Sequence, residues 1–240
     1  MFESHSAIAK ILVLLLAGSL TLFAALLLPT FAQDDCRPDD ADNCSGVSTG
    51  RCVDGRPNCV VACLWEVHNA IKLSSRAEGV AFDINGDGMT EMLPWPQEDS
   101  DDALLAMDRN LNGRIDDGTE LFGNFSPQAR SNADRNGFEA LKPFDGGGLG
   151  GNGDGFISRE DWVFPRLLLW TDRNRDGVSQ SDELRPLDHT RIVSIDLSYR
   201  ISKRIDGHGN QFKYISGVMM DSDSPGPRRK WAVDVVFSLQ

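Results

Sequence analysis

Histidine is scarce in this chain. The four present, His5, His68, His189 and His208, show neither metalloprotease nor triad spacing. Cysteine is absent after Cys63, and none of the five forms a CxxC pair. That argues against a zinc site from Cys59, Cys63 and His68. Basic residues are thin in the middle of the chain, where residues 83–183 hold 9 Lys/Arg against 21 Asp/Glu. The net charge of −12 therefore sits in that one stretch. Such a field repels nucleic acid and anionic membranes and attracts cations. One motif resembles a nucleophile elbow, Gly46-Val-Ser-Thr-Gly50, but it lies in a polar segment without the buried strand that motif needs. No catalytic residue is assigned, and a non-enzymatic protein is expected.

The N-terminus reads as a targeting segment. Ile11 to Leu28 is almost wholly apolar, Lys10 precedes it, and Thr30-Phe31-Ala32 closes it with small outer residues. Residues 1–32 are the expected signal peptide; a retained N-terminal membrane anchor is the alternative, since the run is just long enough to span a bilayer. Either way the expected location is secreted, periplasmic or otherwise extracytoplasmic. Cys36, Cys44, Cys52, Cys59 and Cys63 fall just behind it. In an oxidising compartment they read as disulfide-bonded, with one thiol left free or paired with another chain.

Three further stretches follow. Residues 33–63 are polar, Cys-rich and loop-like. Residues 64–191 carry acidic loops. Residues 192–240 read as strands of the same domain: Ile192, Ile195 and Leu197, then Gln211–Ile215, then Trp231–Phe237, separated by the turn clusters at Asp206 and Asp223. Two short helices are predicted, Asp102–Met107 capped by Ser100 or Asp101, and Gly137–Phe144 with Phe138, Leu141 and Phe144 on one face. The expected class is α+β: EF-hand-type loops with short helices beside a small antiparallel sheet.

The acids follow a spacing. Calcium is a hard cation that takes six to eight oxygens, and a twelve-residue loop supplies them from positions 1, 3, 5, 7 (a carbonyl), 9 and 12, with glycine at 6. Residues 172–183 match throughout: Asp172, Asn174, Asp176, Gly177, the Val178 carbonyl and Glu183. Only Ser179 departs, at position 8, where an aliphatic residue is usual. This is loop D. Loop B, residues 108–120, offers Asp108, Asn110, Asn112, the Arg114 carbonyl, Asp116 and a Glu120 that comes one residue late. Loop C, residues 150–161, offers Asn152, Asp154, the Phe156 carbonyl and Asp161, but begins with Gly150. Asp145, across a glycine-rich insert, is the expected first ligand. Loop A, residues 83–91, offers Asp83, Asn85, Asp87 and Glu91 and lacks an acid at position 12, which is Pro94. Asp101 or Asp102 is the expected substitute.

Phe82-Asp-Ile-Asn-Gly-Asp-Gly, Gly113-Arg-Ile-Asp-Asp-Gly-Thr-Glu-Leu-Phe-Gly, Asn136-Gly-Phe-Glu-Ala-Leu, Leu169-Trp-Thr-Asp-Arg-Asn-Arg-Asp-Gly-Val-Ser and Ser194-Ile-Asp-Leu resemble one bacterial module. It is the calcium-binding region beside the repeats of iron-regulated, haemolysin-type RTX proteins. The resemblance covers roughly residues 79–240 and implies Ca2+ as cofactor and secretion. In some members the related module cleaves itself at an Asp-Pro bond. Here none of the eleven prolines follows an aspartate, and no RTX nonapeptide array is present. The expected function is structural calcium binding. The alternatives are a calcium-dependent adhesion or scaffold module with an envelope or cell-surface protein partner, and a self-processing protease-like module, disfavoured by the missing bond.

Overall fold

The computed structural model describes residues 71–98, 100–128, 135–221, 223 and 229–238, with the backbone of three strands before residue 66. All belong to one unit, Phe31–Gln240. The signal peptide and the disulfides fall outside the described residues and side chains. No helix among the described residues is long and apolar enough to cross a membrane.

The fold is mostly β. In chain order the strands are β1 (Cys52–Val53), β2 (Arg56–Pro57), β3 (Val60–Trp65), β4 (Val80–Phe82), β5 (Glu91–Leu93), β6 (Ala103–Ala106), β7 (Phe156–Ser158), β8 (Leu168–Trp170), β9 (Leu184–Pro186), β10 (Ile192–Asp196), β11 (Arg200–Ile205), β12 (Gln211–Met220) and β13 (Arg229–Phe237). One α-helix, α1 (Gly137–Asp145), stands among them. Nine strands form a single sheet in the order β7-β10-β12-β13-β3-β6-β8-β9, with β11 also pairing β12. Every pairing in it is antiparallel. β4 and β5 make a separate hairpin.

Both faces of the sheet are covered. Alternation along β6 sends Ala103 and Leu105 into one core with Phe138, Leu141 and Phe144 of α1. Leu104 and Ala106 enter a second core with Phe82, Trp95, Trp170 and Phe212. Helix α1 is held at its start by Asn136, whose side chain accepts from the Glu139 N–H at 2.9 Å. The buried Asp234 of β13 accepts from the Gly137 N–H at 2.5 Å. Lys142 pairs with Glu139 on the solvent side.

This corrects the expected class. The protein is not an α+β fold of EF-hand loops with short helices, because no loop lies between two helices. Loop A joins β4 to β5, loop D joins β8 to β9, and loop B leads from β6 to Leu121, which bridges back to Ala106. Loop C alone follows a helix, α1, and runs into β7. The apolar runs before loops A, B and D are three to five residues long, enough for a strand and too short for a stable helix. The helix predicted over Asp102–Met107 is likewise corrected: Ala103–Ala106 is strand β6, bonded to β3 and β8.

Candidate functional site

The four loops share one backbone. Positions 4 and 6 are left-handed in each: Gly86 and Gly88, Leu111 and Gly113, Gly153 and Gly155, Arg175 and Gly177, with φ from 55° to 87°. This coil turns successive N–H groups inward onto the first carboxylate. In loop D, Asp172 accepts from the N–H of Asp176 (3.3 Å) and Gly177 (3.0 Å), Asn174 from Asp176 (3.2 Å), and Asp176 from Val178 (2.8 Å). Glu183 closes the loop by accepting from the Arg173 N–H at 2.7 Å.

Loop B repeats the pattern. Asp108 accepts from Asn112 and Gly113, at 3.1 and 2.8 Å. Asn110 accepts from the Asn112 N–H and Asn112 from the Arg114 N–H. Asp116 accepts from the side-chain amides of Asn110 and Asn112. Glu120, one residue late, still reaches the Arg109 N–H at 2.8 Å, the Asn110 N–H at 3.3 Å and the Asp116 N–H at 2.9 Å. The extra residue is taken up at Asp117-Gly118. Gly118 donates to the Asp83 carbonyl at 2.8 Å, and a Cβ there would stand 1.8 Å from the Ile84 carbonyl oxygen.

In loop C, Asp145 stands where a first residue stands in the others. It accepts from Gly153, Asp154 and Gly155 at 3.0, 3.1 and 3.0 Å. The insert between folds back tightly: a Cβ on Gly151 would lie 2.2 Å from the Asp145 carbonyl. Asn152 accepts from the Asp154 N–H and Asp154 from the Phe156 N–H. Asp161 accepts from the N–H groups of Asn152 (3.3 Å) and Ser158 (2.7 Å).

In loop A, Asp83 accepts from Gly86, Asp87 and Gly88 at 2.8, 3.1 and 2.8 Å, Asn85 from Asp87, and Asp87 from Met89. Glu91 bends back to the Ile84 N–H at 3.4 Å, the second position that the closing glutamate reaches in loops B and D. Asp102 is engaged elsewhere, by the Lys72 N–H and the Ser100 hydroxyl. The loop A acid that turns back onto its own loop is thus Glu91, while Asp102 faces Lys72 and Ser100.

Burial sets the electrostatics. Desolvation pushes Asp172 and Glu120 above the usual carboxylate range, against the backbone hydrogen bonds that pull them down. Asp176 is held below it, chiefly by the Val178 N–H. Desolvation also lowers Arg109 to about 10, against the attraction of Glu120; its guanidinium lies over the rings of Phe122 and Phe144. Two indoles support loop D from outside. Trp95 donates to Asp172 at 2.8 Å and Trp170 to Glu183 at 3.4 Å. Their rings and Phe82 pack within 5.4–5.7 Å of each other. Sequence reasoning missed both tryptophans: Trp95 lies 77 residues from Asp172 and carries no local signal.

Among the described residues no three His, Cys, Asp or Glu side chains are grouped so as to hold a metal by themselves. Each loop instead mixes carboxylate, carboxamide and carbonyl oxygens, a hard donor set with neither sulfur nor imidazole in it. That set suits calcium better than zinc or copper.

The family model of the SPM domain matches residues 67–238, which include all four loops. The chain belongs to the SPM domain family. The chain is also similar to iron-regulated protein FrpA of Neisseria meningitidis serogroup C, with 39% identity over 132 residues. That match covers 55% of this chain and 11% of FrpA, so the chain spans about a tenth of that relative.

Proposed function

We propose that this SPM domain is an extracytoplasmic calcium-binding unit in which the ions complete the fold and no covalent chemistry is performed. The observation that carries the reading is the recurrence of one coil in four sequence-distant loops, each wrapped on a first-position aspartate, including Asp145 across its glycine insert. In loop D the ligands would be Asp172, Asn174, Asp176, the Val178 carbonyl and Glu183; loops A, B and C would use their corresponding oxygens. Calcium supplies positive charge there and nothing else. Four ions would bring eight positive charges to a stretch whose excess is twelve negative. The two described histidines, His189 and His208, are both exposed, as a binding role would allow.

Titration calorimetry of the full chain with calcium tests the reading. Saturable heats with more than one site per chain are expected, absent in chelator and weak with magnesium, which prefers a smaller octahedral site. A flat calorimetric trace would overturn it. Incubation with calcium should also leave a single band on a denaturing gel, since the chain contains no Asp-Pro bond.

A further inference from the structure

Loops B and D meet at their eighth residues. The Ser179 hydroxyl accepts from the Ile115 N–H at 2.6 Å and donates to the Ile115 carbonyl at 3.2 Å. Both residues are buried, at 3% and 2% exposure. The serine that breaks the aliphatic pattern of loop D is therefore the contact between the loops. On either side of this contact the backbone is tied to the oxygens that would bind metal. The Arg114 N–H donates to Asn112 and the Asp116 N–H to Glu120, flanking Ile115. The Val178 N–H and the Gln180 side-chain amide both donate to Asp176, flanking Ser179. An ion that fixes Asn112 and Glu120, or Asp176, must also restrain the chain segment that holds this hydrogen-bonded contact. Loop C has a different neighbour: its β7 segment pairs with β10, Ile157 opposite Ile195.

We propose that loops B and D load calcium as a coupled pair, with Ser179 as the positioning residue that transmits the coupling, while loop C loads independently. This rests on the calcium reading above. Two sites are coupled when filling one changes the affinity of the other, and the change is reciprocal. A buried, two-way hydrogen bond between their centres provides the contact through which each loop stabilises the loaded form of the other.

The test reads loop D by tryptophan fluorescence in the full chain, because the Trp95 and Trp170 indoles donate to Asp172 and Glu183. Asp108→Asn impairs loop B. It should raise the calcium midpoint of loop D about fivefold or more, the lower end of usual coupling. In a Ser179→Ala background the same substitution should have no further effect, and Ser179→Thr, which restores a hydroxyl, should restore the shift. Asp145→Ala, in loop C, should leave the loop D midpoint in place. An equal effect of Asp108→Asn with and without the serine hydroxyl overturns the proposal. So does the absence of any shift in the wild-type background, a result that needs no serine variant to fold. If the wild-type chain gives neither a calorimetric nor a fluorescence response to calcium, the calcium reading itself has failed. Binding without coupling removes only this inference.

Discussion

Two buried carboxyls have opposite value with and without metal. Asp172 and Glu120 are raised by burial, so without an ion the fold disfavours their charged form. Their contribution to stability is full below their unfolded pKa and is lost as pH rises through the folded one. Asp176 works in the opposite sense from an exposed position, where solvent screens it. The chelated chain should therefore melt at lower temperature as pH climbs above about 4, the ordinary carboxylate range. Glu120→Gln should flatten that fall while weakening calcium binding; thermal scans in chelator across pH check it. Glu183→Gln removes one carboxylate from the fullest loop and should weaken loop D by about tenfold or more. Unchanged calorimetric affinity would reject the ligand assignment. Leu111 and Arg175 hold left-handed backbone without being glycine, at φ 62° and 55°. Such a conformation costs about 1–2 kcal/mol per residue, so Leu111→Gly should stabilise the metal-free chain by about 1 kcal/mol, measured by denaturant unfolding.

At the scale of elements, three of the loops are the tips or closures of β-hairpins and one caps a helix. Loop C hangs from Asp145, the last residue of α1. Asp145→Ala should delete one site and leave loop D's affinity nearly intact; calorimetric stoichiometry reads the difference. The loops were legible in the sequence because their spacing is local: Asp172, Asn174, Asp176 and Glu183 fall within twelve residues. Strands β12 and β13 were legible from their β-branched and aromatic runs. Strand β6 was not. Ala103-Leu-Leu-Ala consists of strong helix formers behind a plausible cap. Pairing with β3 and β8, together with burial of all four residues on two faces, overrides that propensity. Which acid turns back onto loop A was not visible in the sequence for a related reason. Spacing pointed beyond Pro94 to Asp101 or Asp102, but Glu91 sits at the start of β5, opposite Phe82 and within reach of the Ile84 N–H. The supports of loop D, Trp95 and Ser179, depend on contacts across the fold, which no local pattern encodes.

For the whole molecule, the acid excess is the main electrostatic cost. Two like charges about 5 Å apart at an effective dielectric near 20 repel by roughly 3 kcal/mol, and a few such pairs rival the ~5–15 kcal/mol that holds a domain folded. Calcium at ten times its dissociation constant adds about 1.4 kcal/mol per site. The melting midpoint should rise by about 10 °C when several sites fill. Circular dichroism in chelator and in calcium measures it, and a rise under about 3 °C would mean the loops are not structural metal sites. The sheet adds a constraint of timing. β13 lies in the middle, between β12 and β3, and the β3 it pairs with lies more than 160 residues earlier in the chain. On one side stand β7, β10, β11 and β12; on the other β3, β6, β8 and β9. Until Arg229–Phe237 arrives, the two halves have no common strand. Closure of the nine-stranded sheet therefore waits on Arg229–Phe237, whichever half has formed first.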